Sequence, residues 1–319
     1  MSPPRLPDRL TRRLRLPLIA APMLNVSGVD LVVAACRNGV IGAFPTINAR
    51  STAQLDQWLA EIESRLFAAP EEAAPFCPNL IMRSPRLADD LACLVRHRVE
   101  LVITSVGSPA AAVEALHGIG ALVLADVATL EHARKAIKAG ADGLVLLTAG
   151  AGGQTGWLNP FAFVRALRQE YDGPLVMAGG IADGVALRAA QVLGCDLAYM
   201  GTRFIATRES LAEDAYRQML VEASIDDVLL TRAFTGLATS MLLPAIRRAG
   251  LDPATLDETV SVPTAAQLWG GKAHGSEAEG PKRWRDIWSA GHSVSGVRAV
   301  QSVDTLVAEV EQEFHHAVS

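Results

Sequence analysis

A-G-G-I-A-D-G (Ala178–Gly184) and M-G-T-R-F (Met200–Phe204) are the two stretches on which the fold of this chain turns. Each closes a short apolar run, Pro174-Leu175-Val176-Met177 before the first and Asp196-Leu197-Ala198-Tyr199 before the second. A glycine at the C-terminal end of a strand lets the backbone approach a ligand closely and offers bare N–H groups to an anion. Two such turns about 20 residues apart describe neighbouring strand-to-helix loops that converge on one phosphate. In a (β/α)8 barrel the loops after strands 7 and 8 recurrently form such a site.

Outward from these turns, apolar runs of strand length recur at Pro17–Ala21, Val40–Ala43, Cys77–Ile81, Leu101–Thr104, Ala121–Ala125, Gly143–Leu147, Leu175–Ala178 and Ala198–Met200. They are nearly continuous in hydrophobicity, as parallel strands covered on both faces are. Helical patterns lie between them, for example Leu130–Ala139, stopped by Gly140, and Asn159–Glu170, ending near Asp172-Gly173. Strand then helix, repeated eight times, predicts an α/β protein with a (β/α)8 TIM barrel; a doubly wound open sheet is the alternative. The barrel is expected over residues 1–210 and a helical, substrate-covering lid region over 211–302. Within that region Leu211–Leu230 and Thr239–Arg248 read as helices, Leu251–Gly280 as irregular helix and loop, and Gly270–Pro281 as a mobile surface loop. Residues 303–319 are expected to hold a helix packing back on the barrel, with Leu306, Val307, Val310 and Phe314 at helical spacing.

Half of the 319 residues are apolar and a fifth charged, which suits an enzyme with a large core. The formal charge is −5 and no basic run is concentrated anywhere, so nucleic acid and anionic membranes are not expected partners. The mildly basic Arg5–Arg15 segment follows Pro3 and Pro4, is interrupted by Pro7 and leads into no long apolar run; it reads neither as a signal peptide nor as a membrane anchor. Cys36, Cys77, Cys93 and Cys195 show no C-x-x-C spacing. The seven histidines also lack metal spacing, His315-His316 being a tail pair, and His97, His117 and His132 read as surface groups on helices. No metal site, no disulfide framework and a reducing cytoplasmic location are the expectations.

Taken together, A-A-P-M (Ala20–Met23), A-G-A-G-G-Q-T-G (Ala149–Gly156), Ala178–Gly184, M-G-T-R-F-I-A-T-R-E (Met200–Glu209) and W-S-A-G-H (Trp288–His292) resemble the nitronate monooxygenase family, formerly called 2-nitropropane dioxygenases. These are FMN-binding (β/α)8 barrels, and their fold and loops also serve FMN-dependent enoyl-acyl-carrier-protein reductases and NADH:quinone reductases. The resemblance covers Leu16–Glu209 and the Trp288 segment. It implies that Gly180, Tyr199, Met200, Gly201 and Thr202 meet the FMN phosphate, a role the Gly179 backbone also suits, that Pro22-Met23 runs beneath the isoalloxazine ring, and that Asn79 lies near the flavin pyrimidine edge. Gly152 and Gly153 are suited to close approach to the flavin, and Asp126 lies where relatives carry varied polar residues. The residue chemistry is compatible: backbone N–H groups and the Thr202 hydroxyl suit phosphate, Met23 is polarisable, and an amide both donates and accepts. Tight turns for the glycines, core filling for Met23 and a turn or capping role for Asn79 are the alternatives. Arg203 suits either phosphate or an ion pair beneath the barrel rim.

Three positions, in two segments, depart from the family pattern. After strand 6 the family reads E-A-G-G-H-x-G, with the histidine credited as the base that takes the α-proton of a neutral nitro compound. Here Gly150 stands for the glutamate and Gln154 for the histidine. Glutamine has no titratable group near neutral pH, though it can donate a hydrogen bond to a nitro or carbonyl oxygen. Near the C-terminus, where the family commonly has S-A-G-Q, this chain has His292. Gln154 and His292 are therefore the candidate catalytic residues, an exchanged base being weighed for His292 against a loop hydrogen-bonding role. The expected activity is FMN-dependent oxidation of a nitronate or related small carbanion-type substrate with O2; a nitronate is already a carbanion equivalent and does not need a protein base. An NAD(P)H-dependent reductase of quinones or enoyl thioesters, or a flavin-binding paralogue without turnover, are the alternatives. Use of NAD(P)H and assembly as a homo-oligomer stay open.

Overall fold

The computed structural model describes residues 5–67, 73–270 and 280–317. In chain order the strands are β1 (Leu18–Ala20), β2 (Ile41–Pro45), β3 (Phe76–Ile81), β4 (Leu101–Ser105), β5 (Leu122–Val127), β6 (Gly143–Leu147), β7 (Gly153–Gln154), β8 (Leu175–Ala178), β9 (Leu197–Met200), β10 (Val228–Thr231) and β11 (Thr239–Leu242). All but β7, β10 and β11 form one closed parallel barrel, sealed where Leu18, Ile19 and Ala20 of β1 pair with Ala198, Tyr199 and Met200 of β9. This is a (β/α)8 TIM barrel, with β8 and β9 as its seventh and eighth staves.

The near-continuous hydrophobicity has a direct cause. Along β9, Leu197 and Tyr199 point into the barrel with Ile19, Cys77, Ile103 and Val176, while Ala198 and Met200 face the helical layer with Leu18, Leu146 and Met177. Both faces are buried, and each fully buried Leu or Ile contributes about 1.5–3 kcal/mol. Local signals start the helices: Thr129 accepts from His132 N before Leu130–Lys138, Asn159 precedes Pro160 at the head of Pro160–Leu167, and Asp183 caps Gly184–Leu193.

The last helix, Val303–His316, packs on helices Gly184–Leu193 and Val29–Arg37, the position of the barrel's eighth outer helix. The approach is close enough that a Cβ on Gly184 would lie 2.1 Å from Phe314 N, and Arg15 pairs with Glu311 from the other side. Residues between β9 and this helix leave and return at one place: Arg208 N donates to Gln301 O at 2.9 Å and Gln301 N to Ala206 O at 3.3 Å.

Two expected helices in that excursion are corrected. Only Asp214–Glu222 of the Leu211–Leu230 stretch is α-helical; a capping box at Ser224 starts a 3-10 turn, and β10 follows. Thr239–Arg248 divides into β11 and helix Leu243–Arg248, with Pro244 in its first turn. Pro244 has no N–H to donate to Ser240 O four residues back and its ring would clash there, so the helix cannot reach back through Thr239–Leu242. β10 and β11 pair antiparallel from Val228↔Leu242 to Thr231↔Thr239, and β11 also holds β7 through Thr239↔Gln154 and Ser240↔Gly153. Residues 271–279 of the expected surface loop lie outside the described residues. The four cysteines are free and buried, and among the described residues no helix is long and apolar enough to cross a membrane.

Candidate active site

Gly179 and Gly180 end β8 with φ of +130° and +74°, a region that favours glycine. A Cβ on Gly179 would strike Thr148 Oγ1 at 2.4 Å, so this glycine packs the turn against the end of β6. A Cβ on Gly180 would meet nothing within 4 Å: its exposed backbone faces an open cradle. Beside it, a Cβ on Gly201 would touch Met23 Sδ at 3.5 Å and Ala21 Cβ at 3.6 Å, which brings the half-buried Pro22-Met23 end of β1 to the second turn. Thr202 is buried, and its hydroxyl accepts from Gly291 N at 3.0 Å, leaving its proton to donate. Met200 sends its side chain into the outer core, so only its backbone is available to a ligand at the mouth. Arg203 takes the ion-pair role, donating to Ala182 O and to Glu309 on the last helix, each at 2.9 Å.

Inside the barrel, Cys77, Asp126 and Tyr199 lie within electrostatic reach of one another, and Asn79 follows Cys77 by two residues on β3. Asn79 spends much of its amide on β4: Nδ2 donates to Ser105 Oγ at 3.0 Å and to Ile103 O at 3.3 Å, and Oδ1 accepts from Ser105 Oγ. Asp126 keeps some accessible surface, but its Oδ1 is sealed and has no hydrogen-bond partner; the Tyr199 hydroxyl is sealed and unpartnered as well. Burial raises the Asp126 carboxyl to about 7. Burial, then the neighbouring Asp126, holds the Tyr199 phenol well above its ordinary value. Each buried polar atom without a partner costs about 1–3 kcal/mol. Two of them in one interior are what a site built for a polar ligand would show.

The loop after β6 is fixed from two sides. His292 N donates to Gly150 O at 2.9 Å, while Gly152 lies so near the next segment that a Cβ would fall 2.8 Å from Gly291 N. A side chain at 152 would therefore collide with the Gly291 backbone. Gly153, with φ +68°, and Gln154 form β7, clamped by β11; the partly buried Gln154 side chain has no hydrogen-bond partner among the described residues. The imidazole of the exposed His292 fills the space beside Gly150, where a Cβ would lie 2.8 Å from Nδ1. Gly150 and His292 thus share one spot: the ring at 292 leaves no room for a side chain at 150.

The Trp288–His292 segment is itself anchored. Trp288 stacks on Tyr216 with centroids 4.8 Å apart, Arg248 lies 3.6 Å over its ring, and its carbonyl accepts from Leu242 N. Sequence reasoning passed over Trp284, whose ring edge would stand 3.9 Å from a Cβ on Gly153. Trp284 has φ +67°, and its carbonyl accepts from Asn25 Nδ2 at 3.2 Å. No motif marked it. Two surface clefts of about 320 and 300 Å³, lined by residues such as Arg248 and Pro281 or Arg65 and Arg208, include none of the expected site residues.

The nitronate monooxygenase family model matches residues 81–313, more than half of the chain. This chain belongs to the nitronate monooxygenase family. It is 30% identical to a nitronate monooxygenase of Pseudomonas aeruginosa, over 81% of this chain and 89% of that protein. It is 26% identical to one of Paraburkholderia phytofirmans, over 95% and 93%. Among solved structures, FabK from Thermotoga maritima superposes with a TM-score of 0.79 at 24% identity, covering 98% of this chain and 97% of that one. The nitroalkane oxidase of Streptomyces ansochromogenes gives 0.77 at 24%, covering 98% and 99%. Membership of the family makes this chain an oxidoreductase of the flavin-dependent type acting on a small molecule.

Proposed function

We propose that the protein binds FMN across the mouth of the barrel and oxidises pre-formed nitronates, or related small carbanion-type substrates, with O2. What supports the substrate class is Gln154, an amide with no side-chain hydrogen-bond partner among the described residues, held by β11 where the resemblance puts the family's base. The open space over Gly180 and the unpartnered Asp126 Oδ1 and Tyr199 hydroxyl support the fit of a phosphorylated, polar-edged cofactor. FMN, when bound, supplies the redox chemistry that an O2-dependent oxidation requires.

The rest falls to the chain's own groups. The backbone at Gly179, Gly180 and Gly201 would hold phosphate, with Thr202 donating its remaining hydroxyl proton. Met23, beside Gly201, would give the ring an apolar floor. Gln154 would donate its amide N–H to a nitro oxygen and orient the substrate without removing a proton. Cys77, Asn79, Asp126 and Tyr199 would shape the inner end of the site. The test is anaerobic bleaching of the purified yellow protein. Bleaching by ethylnitronate and not by NADH supports the reading. Bleaching by NADH alone moves the protein to the reductases, and bleaching by neither makes it a flavin-binding protein without turnover.

A further inference from the structure

On the outside of the barrel, helices Thr52–Leu66 and Leu87–Arg96 bring together four groups that the site above does not use. Cys93 and His97 lie one helical turn apart, and Asp56 and Glu63 face them from the neighbouring helix. His97 Nδ1 stands 3.1 Å from both Glu63 oxygens, and Nε2 stands 3.1 Å from Asp56 Oδ1. Cys93 Sγ lies 3.6 Å from that same Oδ1. The donor atoms of Asp56, Cys93 and His97 all fall within 4.8 Å of one another.

A neutral imidazole carries one N–H. Given to Glu63, it leaves the Nε2 lone pair facing a carboxylate oxygen, an arrangement that asks for positive charge between them. A second proton on the ring is one source of it, with the Cys93 thiol and Arg96 donating to the same Asp56 oxygen. A metal ion is another, and it uses Asp56, Cys93 and His97 together. Zinc bonds of about 2.0–2.3 Å to N, O and S set tetrahedral ligand-to-ligand edges of roughly 3.3–3.7 Å. The observed His97–Asp56 and Cys93–Asp56 separations of 3.1 and 3.6 Å are near that range. Glu63 then stands where a carboxylate orients a ligating histidine through its other nitrogen.

We propose that Asp56, Cys93 and His97 bind a divalent transition-metal ion of the Zn2+ class, with water in the fourth position, which ties the two helices together. The Cys93 thiol proton leaves to solvent as the S–metal bond forms, one proton per ion. Arg96, whose guanidinium now donates to Asp56 Oδ1 at 2.9 Å, has to turn away; its side chain is 58% exposed and free to do so. The expectation of no metal site rested on spacing along the chain, and here one donor comes from a different helix.

The experiment is equilibrium dialysis of the full-length holoprotein, first treated with a chelator, against micromolar Zn2+, with bound metal counted by mass spectrometry. One ion per chain is expected, released with affinity at least about tenfold weaker in Cys93→Ser and Asp56→Asn and about 10–100-fold weaker in Glu63→Gln. A pH-stat should record about one proton released per ion by the wild type and none by Cys93→Ser. Cys93 is buried and its variant can fail to fold, so Asp56→Asn, at a half-exposed site, keeps the test decisive. Absence of a stoichiometric ion overturns the proposal. An ion retained unchanged by Asp56→Asn, or lost instead on His315→Gln or His316→Gln, does so too.

Discussion

Replacing Asp126 by asparagine removes a charge that the barrel interior disfavours while nearly preserving the shape of the side chain. Burial raises this carboxyl from 3.8 to about 7, so between those values the folded chain holds a proton that the unfolded chain has released. Stability therefore falls as pH rises through that window and levels off above it. At about 1.36 kcal/mol per unit the full effect is roughly 4 kcal/mol, of which roughly 3 kcal/mol falls between pH 5 and pH 8. Asparagine does not titrate. The stability of Asp126→Asn relative to wild type should thus improve by roughly 3 kcal/mol from pH 5 to pH 8, other groups cancelling in the difference. Urea unfolding of both proteins, freed of cofactor, at several pH values measures this through the midpoints. Parallel curves across the window would show that the carboxyl is ionised throughout in the folded chain, and the account of its burial would be wrong.

Gly180→Ala should leave the circular dichroism of the protein unchanged yet weaken FMN retention by about tenfold or more, or about 1.4 kcal/mol, because the new methyl group points into the open cradle; equilibrium dialysis of the flavin reads it. Gln154→His should raise turnover of neutral nitroethane relative to ethylnitronate, and a wild type that already oxidises both equally fast would show that Gln154 does not limit proton abstraction. His292→Gln should remove one limb of the pH–rate profile with FMN still bound if the imidazole moves a proton at the site, and an unchanged profile rules that out. Gly150→Ala should destabilise the wild type but cost about 1–2 kcal/mol less in a His292→Ala background, since the ring atoms nearest the methyl, Nδ1 and Cγ, are then gone. A double-mutant cycle in denaturant gives that coupling directly.

The barrel was legible because eight apolar runs are buried on both faces, a pattern that survives errors of one or two residues at each end. β2, for instance, begins at Ile41 and runs on to Pro45. The covering region was not, since V-L-L-T and T-S-M-L suit a helix as well as a strand until their pairing with each other and with Gly153-Gln154 is known. Arg203 was ambiguous for a similar reason: the acid that claims it, Glu309, lies more than a hundred residues away in sequence. The titration of Asp126 depends on what surrounds it rather than on its neighbours in the chain. His97, read as a surface group, is instead half-buried between two carboxylates of another helix.

The hydrogen bonds between Ala206, Arg208 and Gln301 have an evolutionary consequence. The excursion that supplies β10, β11 and the Trp288 segment enters and leaves the barrel rim through one doorway, and the helix that follows it resumes the ring as though nothing had intervened. Such an insertion can lengthen, shorten or be exchanged between relatives without re-registering a single stave, and doubling its length costs only about 0.6 kcal/mol in closure entropy. The part of the molecule that carries the shelf for Gln154 is thus the part most free to change. A family built this way can alter what it accepts while the frame that holds its cofactor stays the same.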